Sequence, residues 1–173
     1  HAALTAGRLW DTGKNVAAFD RASSLSRTPF LAAGPLEGPN GERAALSHAR
    51  SLGALPTSDL HDLFAARPVF VSTSLYEPFG LAVLEAAQAG CALVLADRPG
   101  FRELWDGAAL FVDPLDEHAI AAAVDGLIAD PSRRTEAGEA ARRRSAAYGS
   151  QAMAHAMLDL YAAVCPAAEK VAA

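Results

Sequence analysis

The sequence predicts an α/β fold, a Rossmann-like, doubly wound parallel sheet of six strands with C-terminal helices. Three observations predict it, and they show five of the six strands directly. Short apolar runs recur at 2–9, 28–33, 68–73, 92–96 and 109–112, each bounded by Gly, Pro or polar residues as strands are. Between them lie stretches whose apolar residues fall at helical spacing, and residues 68–96 read strand, turn, helix, strand, the unit from which parallel sheets are built. At 173 residues, 51% hydrophobic and 20% charged, the chain has globular composition and enough length to bury a core as one domain over 1–173.

The first strand ends in a turn of Trp10, Asp11, Thr12 and Gly13, and 14–24 carries Val16, Ala17, Phe19 and Ala22 as a helix would. Arg8 and Lys14 flank this turn. In a doubly wound sheet the carboxyl ends of strands and the amino ends of helices converge on one crevice, where backbone N–H groups favour anions. The two residues suit a diphosphate there, Arg through its fork and Lys as a point charge, and equally suit two solvated cations. After the second strand, 34–41 is a loop with two Gly-Pro steps and Asn40-Gly41. A helix over 59–66 follows Pro56, with Thr57 or Ser58 as N-cap.

Residues 74–90, Ser-Leu-Tyr-Glu-Pro-Phe-Gly-Leu-Ala-Val-Leu-Glu-Ala-Ala-Gln-Ala-Gly, organise the rest. Pro78 and Gly80 mark a turn, 79–89 a helix, and Gly90 its C-cap. Glu77 stands at the helix entrance and Glu85 about two turns in, among Leu81, Val83, Leu84 and Ala86, where a carboxylate is costly to bury unpaired. Taken singly, Glu77 is a turn carboxylate at a helix amino end and Glu85 one reaching solvent from a helix edge. A short helix follows at 100–106. Residues 116–130 place Ile120, Ala123, Val124, Leu127 and Ile128 on one face with Asp116 in the first turn. Residues 132–148, where Arg133, Arg134, Glu136, Glu139, Arg142, Arg143 and Arg144 alternate, form a solvated helix face. The last helix, 151–164, aligns Met153, Met157, Leu160, Tyr161 and Val164.

The formal charge of -5, and the Glu residues interspersed among the arginines, argue against nucleic acid as a partner. No apolar run approaches the roughly 20 residues of a membrane span. No Gly-x-Gly-x-x-Gly follows the first strand and no Walker-type Gly-Lys-Ser/Thr occurs, which disfavours dinucleotide enzymes and P-loop NTPases. His1, His48, His61, His118 and His155 lack ligand spacing, so no metal is expected. Cys91 and Cys165, far apart, suit a reducing, cytoplasmic setting. The start at His1 reads as an excised piece or a tag remnant.

Seven residues separate Glu77 from Glu85, and Glu-Pro-Phe-Gly-Leu-Ala-Val-Leu-Glu-Ala-Ala-Gln-Ala-Gly resembles the donor-site signature of retaining GT-B glycosyltransferases of the bacterial-type family 4 class, which includes sucrose and glycogen synthase relatives. Ala6-Gly7-Arg8-Leu9 with Lys14-Asn15 is similar to the phosphate-contacting start of the same domain, and Arg102-Glu103-Leu104 and 110–114 are similar to its later segments. The resemblance spans nearly the whole chain. It covers the C-terminal, nucleotide-sugar-binding half of a GT-B fold, with no counterpart to the acceptor-binding N-terminal half. It also supplies the sixth strand, 50–55, and makes 53–56 a nucleobase-contact candidate, although those residues alone read equally as a strand-to-helix connection.

The resemblance implies transfer of a sugar, with retention, from a nucleoside diphosphate sugar to an acceptor hydroxyl. Glu77 is then the catalytic carboxylate near the donor sugar, Glu85 accepts hydrogen bonds from the ribose hydroxyls, Arg8 and Lys14 neutralise the diphosphate, and Phe79, Gly80 and Leu81 offer backbone N–H groups. No metal or other cofactor is implied, because the cations take that part. The implied partners are the nucleotide sugar and an N-terminal acceptor domain, without which the chain is expected to be inactive. In the family the terminal helix crosses to that domain, so the helix at 150–164 is expected to be bare here and to favour self-association. Two other readings stand beside this one, a GT-B-type epimerase or phosphorylase, and a non-catalytic α/β interaction module.

Overall fold

The computed structural model describes residues 1–165. Its centre is a parallel sheet of β1 (Ala3–Ala6), β2 (Phe30–Ala33), β3 (Arg50–Gly53), β4 (Val69–Ser72), β5 (Leu93–Ala96) and β6 (Leu110–Val112). The spatial order is β3-β2-β1-β4-β5-β6, so the predicted six-stranded doubly wound sheet is present. The chain steps outward from β1 to β3 and then returns to β4 on the other side of β1. That reversal is a topological switch point, where such sheets open a crevice.

Helices α1 (Val16–Leu25), α2 (Thr57–Ala65), α3 (Leu81–Ala89), α4 (Pro99–Trp105), α5 (Glu117–Ala129), α6 (Pro131–Ser145) and α7 (Ser150–Val164) connect and cover the strands. Successive strand residues point to opposite faces. Ala3, Val69, Val71 and Val94 therefore join Phe19 of α1 and Ile120, Val124 and Leu127 of α5 in one core, while Leu4, Phe70, Leu93 and Leu95 meet Phe64 of α2, Leu84 of α3 and Phe101 and Trp105 of α4 in the other. A sheet buried on both faces explains why the central strands read as unbroken apolar runs. The close seating of α6 on the end of α3 depends on Gly138, where a Cβ would come within 2.2 Å of the Gly90 carbonyl oxygen.

Several boundaries differ from expectation for identifiable reasons. Helix α1 starts at Val16 rather than 14, because Thr12–Lys14 is a separate 3-10 turn closed by Asn15 in the left-handed region. Helix α3 starts at Leu81 rather than 79, because Gly80 has φ +85°. Neither Thr57 nor Ser58 caps α2; the N-cap is Pro56, with no side-chain bond. The helix placed at 132–148 ends at Ser145 and passes through a 3-10 turn, Ala146–Tyr148. Nor are its arginines all free in solvent. Arg134 donates to the carbonyls of Leu127 and Ile128 at the end of α5, and Arg144 to those of Leu104 and Glu103 at the end of α4, cations placed where a helix dipole favours them.

Helix α7 buries none of its residues. Its stripe, Met153, Met157, Leu160, Tyr161 and Val164, is 40–64% exposed. No helix among the described residues is long and apolar enough to cross a membrane.

The loop before β3 is held by one buried carboxylate. Asp20 of α1 accepts hydrogen bonds from the backbone N–H groups of Ser47, His48 and Ala49 at 2.8–3.0 Å. Burial alone would raise its pKa, but the three N–H groups stabilise the anion more and hold the carboxyl below its ordinary 3.8. A folded-state pKa below the unfolded one adds stability that is complete above the unfolded value and is lost as pH falls through the folded one. Asp20→Asn should therefore cost about 2 kcal/mol near neutral pH, and less as the pH falls below the ordinary carboxyl value of 3.8. Urea denaturation of both chains across that range measures the gap; a gap independent of pH would contradict this assignment.

Candidate functional site

The strand ladder itself opens the site. Strand β1 pairs with β2 along its whole length, Ala3 to Phe30 through Ala6 to Ala33, but with β4 only at Ala3–Val69 and Leu4–Phe70. Past Leu4 the neighbours separate. Thr5, Ala6, Gly7 and Arg8 from one side, and Ser72, Ser74 and Glu77 from the other, line a crevice of about 510 Å³ that the start of α3 closes.

All seven residues singled out from the sequence, Arg8, Lys14, Glu77, Phe79, Gly80, Leu81 and Glu85, line this crevice. The Lys14 ammonium donates to Oε2 of Glu77, an ion pair between side chains 24% and 15% exposed. Glu77 Oε1 has no partner among the described residues. Arg8 is more exposed, bonds Asp11 at 3.0 Å and lies 5.6 Å from the centre of the Trp10 ring, so it rests beside the crevice mouth on its own turn. Glu85 is exposed on α3 and has no hydrogen-bond partner among the described residues, which removes the burial cost that its apolar neighbours suggested.

Gly80 shapes the entrance to α3. A Cβ there would meet Val83, Glu77 and Phe101 at 3.2–3.4 Å, and φ +85° disfavours any L side chain. The first turn of α3 leaves its N–H groups without intrahelical partners, and Phe79, Gly80, Leu81, Ala82 and Val83 all border the cavity. Phe79 is braced from behind by an edge-on contact with Tyr148 at 5.7 Å. Two cations and a helix amino end, groups that favour an anion, thus border the crevice together with the carboxylates of Glu77 and Glu85.

The nucleobase candidate fares differently. None of 53–56 lines the crevice; the contribution from that side is Leu60 of α2. Strand β3 is the sheet edge, two strands away from β1, and only α2, which packs against α3, leans back to the site. The sequence reading quoted Gly7 and Asn15 within a motif without giving either a role of its own, and passed over Thr73; Gly7 lines the crevice, and Thr73 and Asn15 brace it. Asn is the non-Gly residue that most readily takes the left-handed region, so Asn15 directly after Gly13-Lys14 was the available signal. Among the described residues no group of three or more His, Cys, Asp or Glu is placed to hold a metal.

A family model described as glycosyl transferases group 1 matches residues 41–144, more than half of the chain, including Glu77 and Glu85 but not Arg8 or Lys14. Alpha-maltose-1-phosphate synthase of Mycolicibacterium smegmatis is 38% identical over 98 residues, covering 52% of this chain and 25% of that protein. O-antigen chain mannosyltransferase B of Escherichia coli is 40% identical over 85 residues, 49% of this chain and 22% of its own length. Among solved structures, sucrose-phosphate synthase from Thermosynechococcus elongatus superposes with a TM-score of 0.83 at 25% identity, covering 96% of this chain and 46% of that one. The matches thus span about a quarter of the length of these two curated relatives and about half of the solved structure.

Proposed function

The chain belongs to the glycosyl transferases group 1 family, and from that premise we propose that it is the C-terminal, donor-binding half of a retaining, family 4 type GT-B glycosyltransferase. The observation that carries this reading is the convergence of Arg8, Lys14, Glu77 and the amino end of α3 on one crevice at the point where strand order reverses. The relatives named as synthases and a mannosyltransferase support sugar transfer as the reaction class.

In this proposal the donor is a nucleoside diphosphate sugar lying across the switch point. Its diphosphate meets Lys14, the unpaired N–H groups at the start of α3, and Arg8 once that side chain leaves Asp11. When the bond from sugar to diphosphate breaks, negative charge grows on the leaving oxygen, and donors already fixed around that place stabilise it without reorganising. Glu77, held by Lys14 through Oε2, turns Oε1 toward the sugar hydroxyls. Glu85, exposed on the next turns of α3, accepts hydrogen bonds from the ribose. These cations do the work that a metal ion does in other transferases.

The acceptor lies outside this half. Transfer requires an acceptor hydroxyl in near-attack geometry with water excluded, which needs a second wall over the crevice. We assign that wall to an N-terminal domain of a longer enzyme, toward which the bare stripe of α7 would turn, and the described chain by itself would bind donor without transferring it.

Calorimetry with UDP, GDP and ADP, each beside its nucleoside, tests the diphosphate assignment. Lys14→Ala should weaken the preferred diphosphate by about 1–3 kcal/mol and leave the nucleoside nearly untouched, with Arg8→Ala showing the same pattern at smaller size because Arg8 is the more exposed cation. Equal losses for diphosphate and nucleoside would contradict it. Glu85→Gln should weaken nucleoside and nucleotide alike while the melting temperature stays put, since Glu85 bonds no other described residue. A large fall in melting temperature with unchanged binding would assign Glu85 to the fold instead.

A further inference from the structure

We infer that Asn15 is the positioning residue of the site, fixing the Lys14 ammonium over the crevice by tying the first βα turn to two other strand ends. The inference rests on the donor-site reading above. Asn15 adopts φ 49° and ψ 41°, which lets the chain leave the 3-10 turn Thr12–Lys14 and enter α1 one residue later. In that conformation its side-chain Nδ2 donates to the carbonyl of Thr73, just past β4, at 3.3 Å, and to that of Pro114, just past β6, at 2.9 Å. Thr73 answers in the other direction, its buried Oγ1 donating to the carbonyls of Lys14 and Asn15 at 3.2 and 2.9 Å. The N–H of Leu75 donates to the Gly13 carbonyl at 2.8 Å.

The backbone of Gly13, Lys14 and Asn15 is thereby fastened, residue by residue, to the segment that begins the Glu77 turn. A lysine side chain on a free loop loses much rotamer freedom when it binds a phosphate. Here the backbone of the turn is already tied by these bonds, and Lys14 reaches across to Glu77. Gly at position 15 would permit the same backbone but make neither side-chain bond, so it separates the two roles of Asn15. The return bonds through Thr73 can be cut independently by Thr73→Val, which keeps shape and burial.

The experiment is a double-mutant cycle on the chain, read by calorimetry with UDP, GDP and ADP and their nucleosides. Asn15→Gly should lower affinity for the preferred diphosphate about tenfold, equivalent to about 1.4 kcal/mol. Nucleoside affinity should hold, and in the Lys14→Ala background the same change should cost nothing further, because Asn15 acts through Lys14. Should Asn15→Gly fail to fold, Thr73→Val should show the same diphosphate-selective, Lys14-dependent loss at smaller size. Wild-type diphosphate affinity in both variants, a parallel loss of nucleoside affinity, or full additivity with Lys14→Ala would each overturn the inference. If Lys14→Ala itself binds diphosphate like wild type, the donor-site reading falls first and this inference with it.

Discussion

The structure depends on where the β1–β4 ladder stops. Two adjacent parallel strands are held together at Ala3–Val69 and Leu4–Phe70, and beyond that pairing their connections run to opposite sides of the sheet. Everything at the site follows from this separation. The turn after β1 and the turn after β4 face each other across the gap, and each brings residues that the other needs: Lys14 for Glu77, and the carbonyls of Lys14 and Asn15 for Thr73. Buried backbone carbonyls at a widened strand end must find donors, and Asn15 and Thr73 supply them from within the crevice wall. The same constraint that builds the cavity therefore makes its floor rigid.

Rigidity of this kind bears on function through electrostatics. Donors fixed before a ligand arrives need not reorganise when charge develops, and a site between helix amino ends and low-dielectric walls strengthens each of them. Lys14 sits at the centre of that arrangement, paired yet bordering the cavity. Arg8, resting on Asp11 and Trp10, is the adjustable cation. The proposed division is one preset charge and one that closes, with the carboxylates Glu77 and Glu85 serving the two ends of the ligand.

Much of this was legible in the chain because a sheet covered on both faces has to be written in continuous apolar residues. Val69 to Val71 and Leu93 to Ala96, short apolar runs between turn residues, read as strands, and Glu77 and Glu85, carboxylates in the apolar stretch between them, pointed to the candidate site. Strand β3 was not legible in the same way. Arg50 and Ser51 are exposed on an edge strand, carry no apolar signal, and were placed only by resemblance to a known family. The start of α3 was misplaced by two residues because apolar Phe79 fits a helical pattern, whereas the left-handed Gly80 decides where the helix begins. The role of 53–56 depends on sheet order, which no local pattern encodes. Asn15 was quoted in the motif, but its bonds reach residues 58 and 99 positions away, a distance that propensity does not see.

The most direct test of the central claim, that the separation of β1 and β4 forms a nucleoside diphosphate site, is an amide NMR titration of the chain with UDP, GDP and ADP. One of the three should shift the N–H signals of residues 7–15 and 79–85 together and saturably, with the rest of the sheet unmoved. Shifts confined to α7, or no shift with any of the three, would contradict it.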